Sequence, residues 1–166
     1  SEMCIRDSIT LLKPTSGRAM VAGHDVLKEP GKVRSVIGYV AQDVSVDDKG
    51  TGRENLMLQG RLHHMDGQLL RQRVDELLEL VDLTADAKRL AETYSGGMRK
   101  RLDLIAGLVH RPEVLFLDEP TLGLDPQTRT RVWSYLRDLN QKEGITILLT
   151  THYMEEADDL CHRVAI

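Results

Sequence analysis

The run Val114–Leu117 is apolar at every position, and it constrains the fold more than any other segment of the sequence. A strand with one exposed face alternates polar and apolar residues, so a strand without alternation is covered on both faces. A second continuous apolar strand is predicted over 145–149. Between the two, Asp125 is a typical N-cap and Pro126 a typical first residue of a helix. The order strand, helix, strand predicts a crossover in a parallel sheet, and therefore an α/β fold from residue 113 onward.

Two amphipathic helices are predicted before this unit. Apolar residues recur with helical spacing from Gly67 onward, at positions 70, 74, 77, 78 and 81. The same spacing at positions 102, 105, 106 and 109 predicts a second helix that ends before Pro112. Short strands are predicted over 18–22 and 36–40, because glycines bound both segments.

Composition excludes several classes of protein. The 166 residues carry a formal charge of -4 and only 4% aromatic side chains. A chain of this balance is poorly suited to neutralising phosphates or stacking bases, so we expect no nucleic-acid partner. Its apolar runs fall well short of the roughly 20 residues that span a bilayer. Cys4 and Cys161 are too few for a disulfide framework and are expected to be reduced thiols. The length fits one domain.

Polar residues follow both apolar strands. Asp118 and Glu119 close the first strand, and Thr150, Thr151 and His152 close the second. Ligands of open parallel sheets bind outside the carboxyl ends of the strands. An acidic pair at such an end is typical of a carboxylate that orients a magnesium ion through water, followed by a general base. Two alternatives stay open at this point: the pair only ends a strand at a turn, and His152 is structural.

The sequence Ser95-Gly96-Gly97 lies directly before the second amphipathic helix. Serine is a preferred N-cap, and two glycines let a ligand approach the backbone closely. The free amides and the dipole of a helix N-terminus favour a phosphate there. The basic run 99–101 follows in the first turns, where cations are unfavourable. Either a nearby polyanion relieves this conflict, or the run is a solvated basic face.

The order and spacing of these segments resemble the nucleotide-binding domain of ABC transporters, from about residue 11 to residue 166. The matching motifs are the signature motif at Tyr94–Met98, Walker B at Val114–Asp118, the D-loop at Leu124–Pro126, the switch histidine His152 and the Q-loop glutamine Gln42. Met98 stands where the family usually has glutamine. The segments 12–17 and 22–25 resemble the part of the family that follows its first helix.

The resemblance implies a P-loop NTPase-type parallel-sheet core with an inserted helical subdomain, here about 51–96. In this family the subdomain contacts a transmembrane permease subunit, so we expect the chain at the cytoplasmic face of the cell membrane. The segment 52–56 is most similar to ATPases of the daunorubicin-resistance type, which implies export of a drug or another hydrophobic compound. Residues 1–8 fit neither pattern and are expected to be a non-native leader or a frayed terminus, leaving 9–166 as the domain.

The resemblance also implies ATP and Mg²⁺ as ligands and a role for each site residue. Gln42 and Asp118 would hold the magnesium ion, and Glu119 would activate the attacking water. His152 would bind the γ-phosphate. In a head-to-tail dimer with a second nucleotide-binding domain, Ser95, Gly96 and Gly97 would contact the nucleotide of the partner domain, and Asp125 would couple the two sites.

The sequence departs from the family in one respect: it contains no Gly-x-x-x-x-Gly-Lys-Ser/Thr motif. The family places this P-loop upstream of the segment that matches 9–17, so we expect the chain to be a fragment of a longer protein, inactive alone. Two alternatives remain: an ABC ATPase that acts on DNA or ribosomes, and a degenerate cassette that only binds a partner. His63 and His64 are unpromising as a metal site, because adjacent residues do not share a helix face.

Overall fold

A computed structural model describes residues 16–41 and 45–164. In chain order the elements are β1 Met20–Val21, β2 His24–Asp25, α1 Pro30–Val36, β3 Ile37–Val40, α2 Gly52–Leu62, α3 Gly67–Leu80, a 3₁₀ turn Ala91–Thr93, α4 Gly96–Ala106, β4 Val114–Asp118, α5 Pro126–Glu143, β5 Thr146–Thr150 and α6 Met154–Leu160. In this described part of the chain, no helix is both long and apolar enough to cross a membrane.

The main sheet is parallel, with β4 between β3 and β5. Phe116 of β4 lies opposite Tyr39 on one side and Leu148 on the other. Residues 115–118 are buried, which confirms that the apolar run forms a strand covered on both faces. In β5, by contrast, Leu148 is 48% exposed, so this second apolar strand is not covered on both faces by the described residues.

Helix α5 connects β4 to β5, as the spacing predicted. The Asp125 side chain accepts a hydrogen bond from the Thr128 amide at 2.9 Å, and Pro126 is the first helical residue. Gly144 ends the helix with φ of 72°, a conformation that glycine adopts without a side-chain clash. Three apolar residues bury the inner face of the helix, namely Val132, Leu136 and Leu139.

Helices α2 to α4 pack together beside the sheet. A capping box of Thr51 and Glu54 begins α2, and Asp66 caps α3. Helix α3 begins at Gly67 as predicted and buries Leu70, Val74, Leu77 and Leu78. These side chains belong to the same hydrophobic cluster as Leu115 and Leu117 of β4 and the buried apolar residues of α5. The helical part and the sheet therefore share one core.

Three boundaries differ from the prediction. Helix α4 ends at Ala106, not near Pro112, because Gly107 already caps it and the chain turns there. Val109 is nevertheless fully buried. The first strand is limited to 20–21. Val36 belongs to α1, because Pro30 at the first position starts a short helix that runs directly into β3.

Candidate functional site

The ends of β4 and β5 lie side by side at the carboxyl edge of the sheet. Asp118 is paired in register with Thr150, and its Oδ1 accepts a hydrogen bond from the Thr150 hydroxyl. The Asp118 residue is 9% exposed. The structure therefore places an acidic side chain at the edge where ligands of parallel sheets bind, with Oδ2 available to a further partner.

Glu119 turns sharply away from the strand. Its φ is 50°, a left-handed conformation that costs a residue with a side chain roughly 1–2 kcal/mol. The backbone amide of Glu119 donates to the Thr150 carbonyl at 3.1 Å, which ties the turn to the end of β5. The turn directs a carboxylate that is only 5% exposed toward the residues that follow β5.

The Glu119 carboxylate contacts His152 through both of its oxygens. Oε1 lies 3.3 Å from His152 Nε2, and Oε2 accepts a hydrogen bond from the His152 amide at 3.4 Å. The two side chains differ strongly in exposure, at 6% for Glu119 and 87% for His152. A fixed carboxylate beside an accessible imidazole combines a proton acceptor with a group that can donate a hydrogen bond to an anion.

Ser95 caps α4 as predicted, because its side chain accepts a hydrogen bond from the Met98 amide at 3.3 Å. A Cβ built on Gly96 or Gly97 meets no atom within 4 Å, so the backbone of this turn is open. Across the described residues, no hydrogen bond joins Ser95 to Asp118, Glu119 or His152. The strand-end residues thus form one cluster, and Ser95-Gly96-Gly97 forms a second, separate feature at the mouth of a helix.

The basic run 99–101 fits neither of its two predicted descriptions. Arg99 pairs with Asp48 and donates to the Ala91 carbonyl. Arg101 donates to the Val81 carbonyl at 2.9 Å. Lys100 is 7% exposed, and its Nζ donates to the Ala41 carbonyl at 3.1 Å. The three cations bind acceptors within the protein, so the run is neither a solvated face nor in need of a polyanion.

Two buried charged residues of α4 contact the flanks of the segment 42–44. Lys100 reaches Ala41, and the carboxylate of Asp103 accepts hydrogen bonds from Ser45 at its amide (3.0 Å) and its hydroxyl (2.8 Å). The predicted ligand Gln42 itself lies outside the described residues. Asp103 is not predicted from the sequence, although a charged pair spaced three apart within an apolar helix pattern is a usable signal. The buried Glu156 is not predicted either, since no pattern in the sequence marks it.

The carboxylate of Asp125 is engaged in capping α5. It accepts hydrogen bonds from the amide and the hydroxyl of Thr128 at 2.9 Å and 2.8 Å. The hydrogen bond from the Thr128 amide is the main reason that the pKa of Asp125 is lowered. Asp125 is therefore a rigid anion at the surface of the loop after β4.

The histidines of the helical part form a ring stack. His63 lies on His110 with 3.6 Å between ring centroids and 6° between planes. His110 Nε2 donates to the Ile37 carbonyl at 2.8 Å, and burial lowers the pKa of His110 to about 4. The described residues contain no group of three or more His, Cys, Asp or Glu side chains that could hold a metal ion. Among the described residues, Asp118 is the one acidic side chain at the strand ends with a carboxylate oxygen left over for a hard cation such as Mg²⁺.

Comparison with known proteins gives the same assignment as the motifs. The ABC transporter family matches residues 7–122. The daunorubicin resistance ATP-binding protein DrrA3 of Streptomyces coeruleorubidus is 51% identical over 98% of this chain and 51% of its own length. The doxorubicin resistance ATP-binding protein DrrA of Mycobacterium tuberculosis is 48% identical over 95% of the chain and 47% of its own length. The chain thus spans about half the length of these curated relatives.

Solved structures share the fold. A dimeric post-hydrolysis state of the ATP-binding cassette MJ0796, bound to ADP and Pi, superposes with a TM-score of 0.87 at 26% identity, covering 95% of this chain and 72% of that one. An ATP-binding subunit of an ABC transporter superposes with a TM-score of 0.88 at 23% identity, covering 97% and 67%. The parallel sheet, the strand-end acidic pair and the turn Ser95-Gly96-Gly97 thus occur together on an ABC ATPase scaffold, and the chain belongs to the ABC transporter family.

Proposed function

We propose that this chain is part of the ATP-binding and ATP-hydrolysing subunit of an ABC transporter that exports a drug or another hydrophobic compound. The pairing of the buried Glu119 carboxylate with the exposed His152 imidazole carries the proposal. The family match and the resistance names of the relatives support it. The complete protein would act at the cytoplasmic face of the membrane and bind a transmembrane permease subunit.

The strand-end cluster suits the attack of water on a terminal phosphate. Glu119 is held at the end of β4 by its backbone bond to Thr150, and its carboxylate would accept a proton from the attacking water. The exposed imidazole of His152 would donate a hydrogen bond to a γ-phosphate oxygen. Phosphoryl transfer of this kind is accelerated mainly by positioning and by charge stabilisation.

The donor chemistry at Asp118 fits magnesium. One carboxylate oxygen binds the Thr150 hydroxyl, which leaves the other as a hard ligand at the ligand-binding edge. In the proposed function Asp118 and Gln42 would hold the ion, which would supply positive charge beside the phosphates. The phosphate-binding loop itself would come from sequence outside this chain.

The open turn Ser95-Gly96-Gly97 would serve the nucleotide of a second domain in a head-to-tail dimer. A turn that presents free amides, no side-chain obstruction and a helix N-terminus is suited to a phosphate. The dimeric arrangement of the MJ0796 cassette with ADP and Pi supports this assembly. Asp125, fixed by Thr128 on the loop after β4, would then couple the two sites.

The direct test is Glu119→Gln in the full-length protein. We expect the variant to bind ATP normally but to hydrolyse it about 100-fold more slowly, because the amide cannot accept the proton. Glu113→Gln is the matched control, since it makes the same change at the exposed, opposite end of β4 and should leave turnover unchanged. Normal hydrolysis by Glu119→Gln would remove Glu119 from this role. A wild-type protein that binds but never hydrolyses ATP would favour the binding module instead.

A further inference from the structure

A buried carboxylate joins three segments around the strand-end cluster. Glu156 lies in the first turn of α6 and is fully buried. Its Oε1 accepts hydrogen bonds from Thr121 Oγ1 and from Trp133 Nε1, each at 2.9 Å. Thr121 is also fully buried and lies two residues after Glu119, whereas Trp133 lies in α5. One oxygen atom therefore links the loop after β4, helix α5 and helix α6.

The segment that carries His152 is held at both of its ends, and this link lies just after the second end. At the near end, the Thr150 carbonyl accepts a hydrogen bond from the Glu119 amide. At the far end, Tyr153 is the N-cap residue of α6, and the Arg129 guanidinium lies 4.3 Å from the centroid of its ring. Glu156 follows within the next turn. His152 itself is exposed and makes its side-chain contact only with Glu119 among the described residues, so its position depends on these two anchored ends.

We propose that Glu156 is a positioning residue for ATP hydrolysis, which holds His152 in place relative to Glu119 by tying α6 to Thr121 and Trp133. The proposal rests on the proposed function. The two oxygens of Glu156 are unequal: Oε1 accepts both hydrogen bonds, and Oε2 is buried without a partner among the described residues. An amide oxygen can accept the same two bonds, so the link requires the acceptor oxygen and not the charge.

The test compares Glu156→Ala, Glu156→Gln and the wild type in the full-length protein. Rates are expressed per mole of bound nucleotide, so that a misfolded fraction does not count as slow enzyme. We expect Glu156→Ala to lower kcat by about 10-fold while KM for ATP changes by less than about threefold, because the reacting groups and not the nucleotide contacts are displaced. Glu156→Gln should restore kcat to within about threefold of wild type. Glu155→Ala, which changes the exposed neighbour, should have no effect.

Each other outcome overturns the proposal. An unchanged kcat in Glu156→Ala shows that the link does not position His152. An equal loss in Glu156→Gln assigns the effect to charge, and a loss that vanishes after normalisation assigns it to folding alone. If Glu156→Ala does not fold, Thr121→Val and Trp133→Phe each remove one donor. Their effects on kcat should then be non-additive, because both act through one oxygen, and additive or absent effects refute the link. An inactive wild type would instead refute the proposed function.

Discussion

The close backbone approach in the first half of β3 predicts that Gly38→Ala destabilises the protein. A Cβ at Gly38, in β3, would lie 2.5 Å from the Gly107 carbonyl oxygen and 2.8 Å from both Leu115 Cδ1 and Pro112 Cγ. The carbonyl is backbone at the end of α4 and cannot rotate away, so strand and helix must separate. Overpacking of this kind costs about 3 kcal/mol, and the lower chain entropy of alanine in the unfolded state offsets about 0.7 kcal/mol.

The net loss of about 2 kcal/mol should lower Tm by about 4–8 °C, since a domain of this size loses about 2–4 °C per kcal/mol. Thermal unfolding of the purified protein, followed by circular dichroism, measures the shift. Gly31→Ala is the control, because a Cβ there meets no atom within 4 Å and α1 gains a better helix former. Equal Tm values for the two variants would refute the close packing of β3 against α4.

Two further predictions concern α4 and the histidine stack. Ser95→Ala removes the acceptor for the Met98 amide and should destabilise the protein by about 1 kcal/mol. The control Ser134→Ala, on the exposed face of α5, should change the free energy of unfolding by less than about 0.5 kcal/mol. Denaturant titrations measure both changes. His110 is half-buried and its pKa is lowered to about 4, so the unfolded chain binds more protons between pH 6.5 and 4. The stability present above pH 6.5 is therefore lost as the pH falls. The control is His110→Gln, which can still donate to the Ile37 carbonyl. Relative to this variant, the free energy of unfolding of the wild type should fall by about 2 kcal/mol between pH 8 and pH 5. A difference in unfolding free energy that stays constant with pH would contradict a neutral His110 in the folded protein.

Local chemistry accounts for the parts of the fold that the sequence predicts well. The N-caps at Ser95 and Asp125 and the helix end at Gly144 depend on hydrogen bonds within a few residues, so their residue types are informative. The apolar run of β4 is informative because covering both faces leaves no position for a polar side chain. The strand-end cluster follows from these elements, since parallel strands end at one edge.

Long-range packing decides the features that the sequence does not predict. Asp103 and Glu156 lie in short helices where charged residues are normally solvated, and they are buried only because segments 58 and 35 residues away supply their donors. The left-handed backbone conformation of Glu119 is not predicted from the sequence either, for a different reason. Positive φ is typical of glycine or asparagine, and here the backbone bond to Thr150 and the two contacts with His152 hold the strained turn.

Helix α4 joins the turn Ser95-Gly96-Gly97 to the sheet. Its first residues follow Ser95, its middle binds Ser45 through Asp103, and its end packs against Gly38 with no room for a methyl group. If α4 moved and the segment at Ser45 did not, the buried Asp103 carboxylate would lose both of its hydrogen bonds from Ser45. This loss would cost more than about 1–3 kcal/mol, because the group is charged. Moving α4 without β3 would break the backbone packing at Gly38. Helix α4 is therefore fixed both to β3 and to the segment at Ser45.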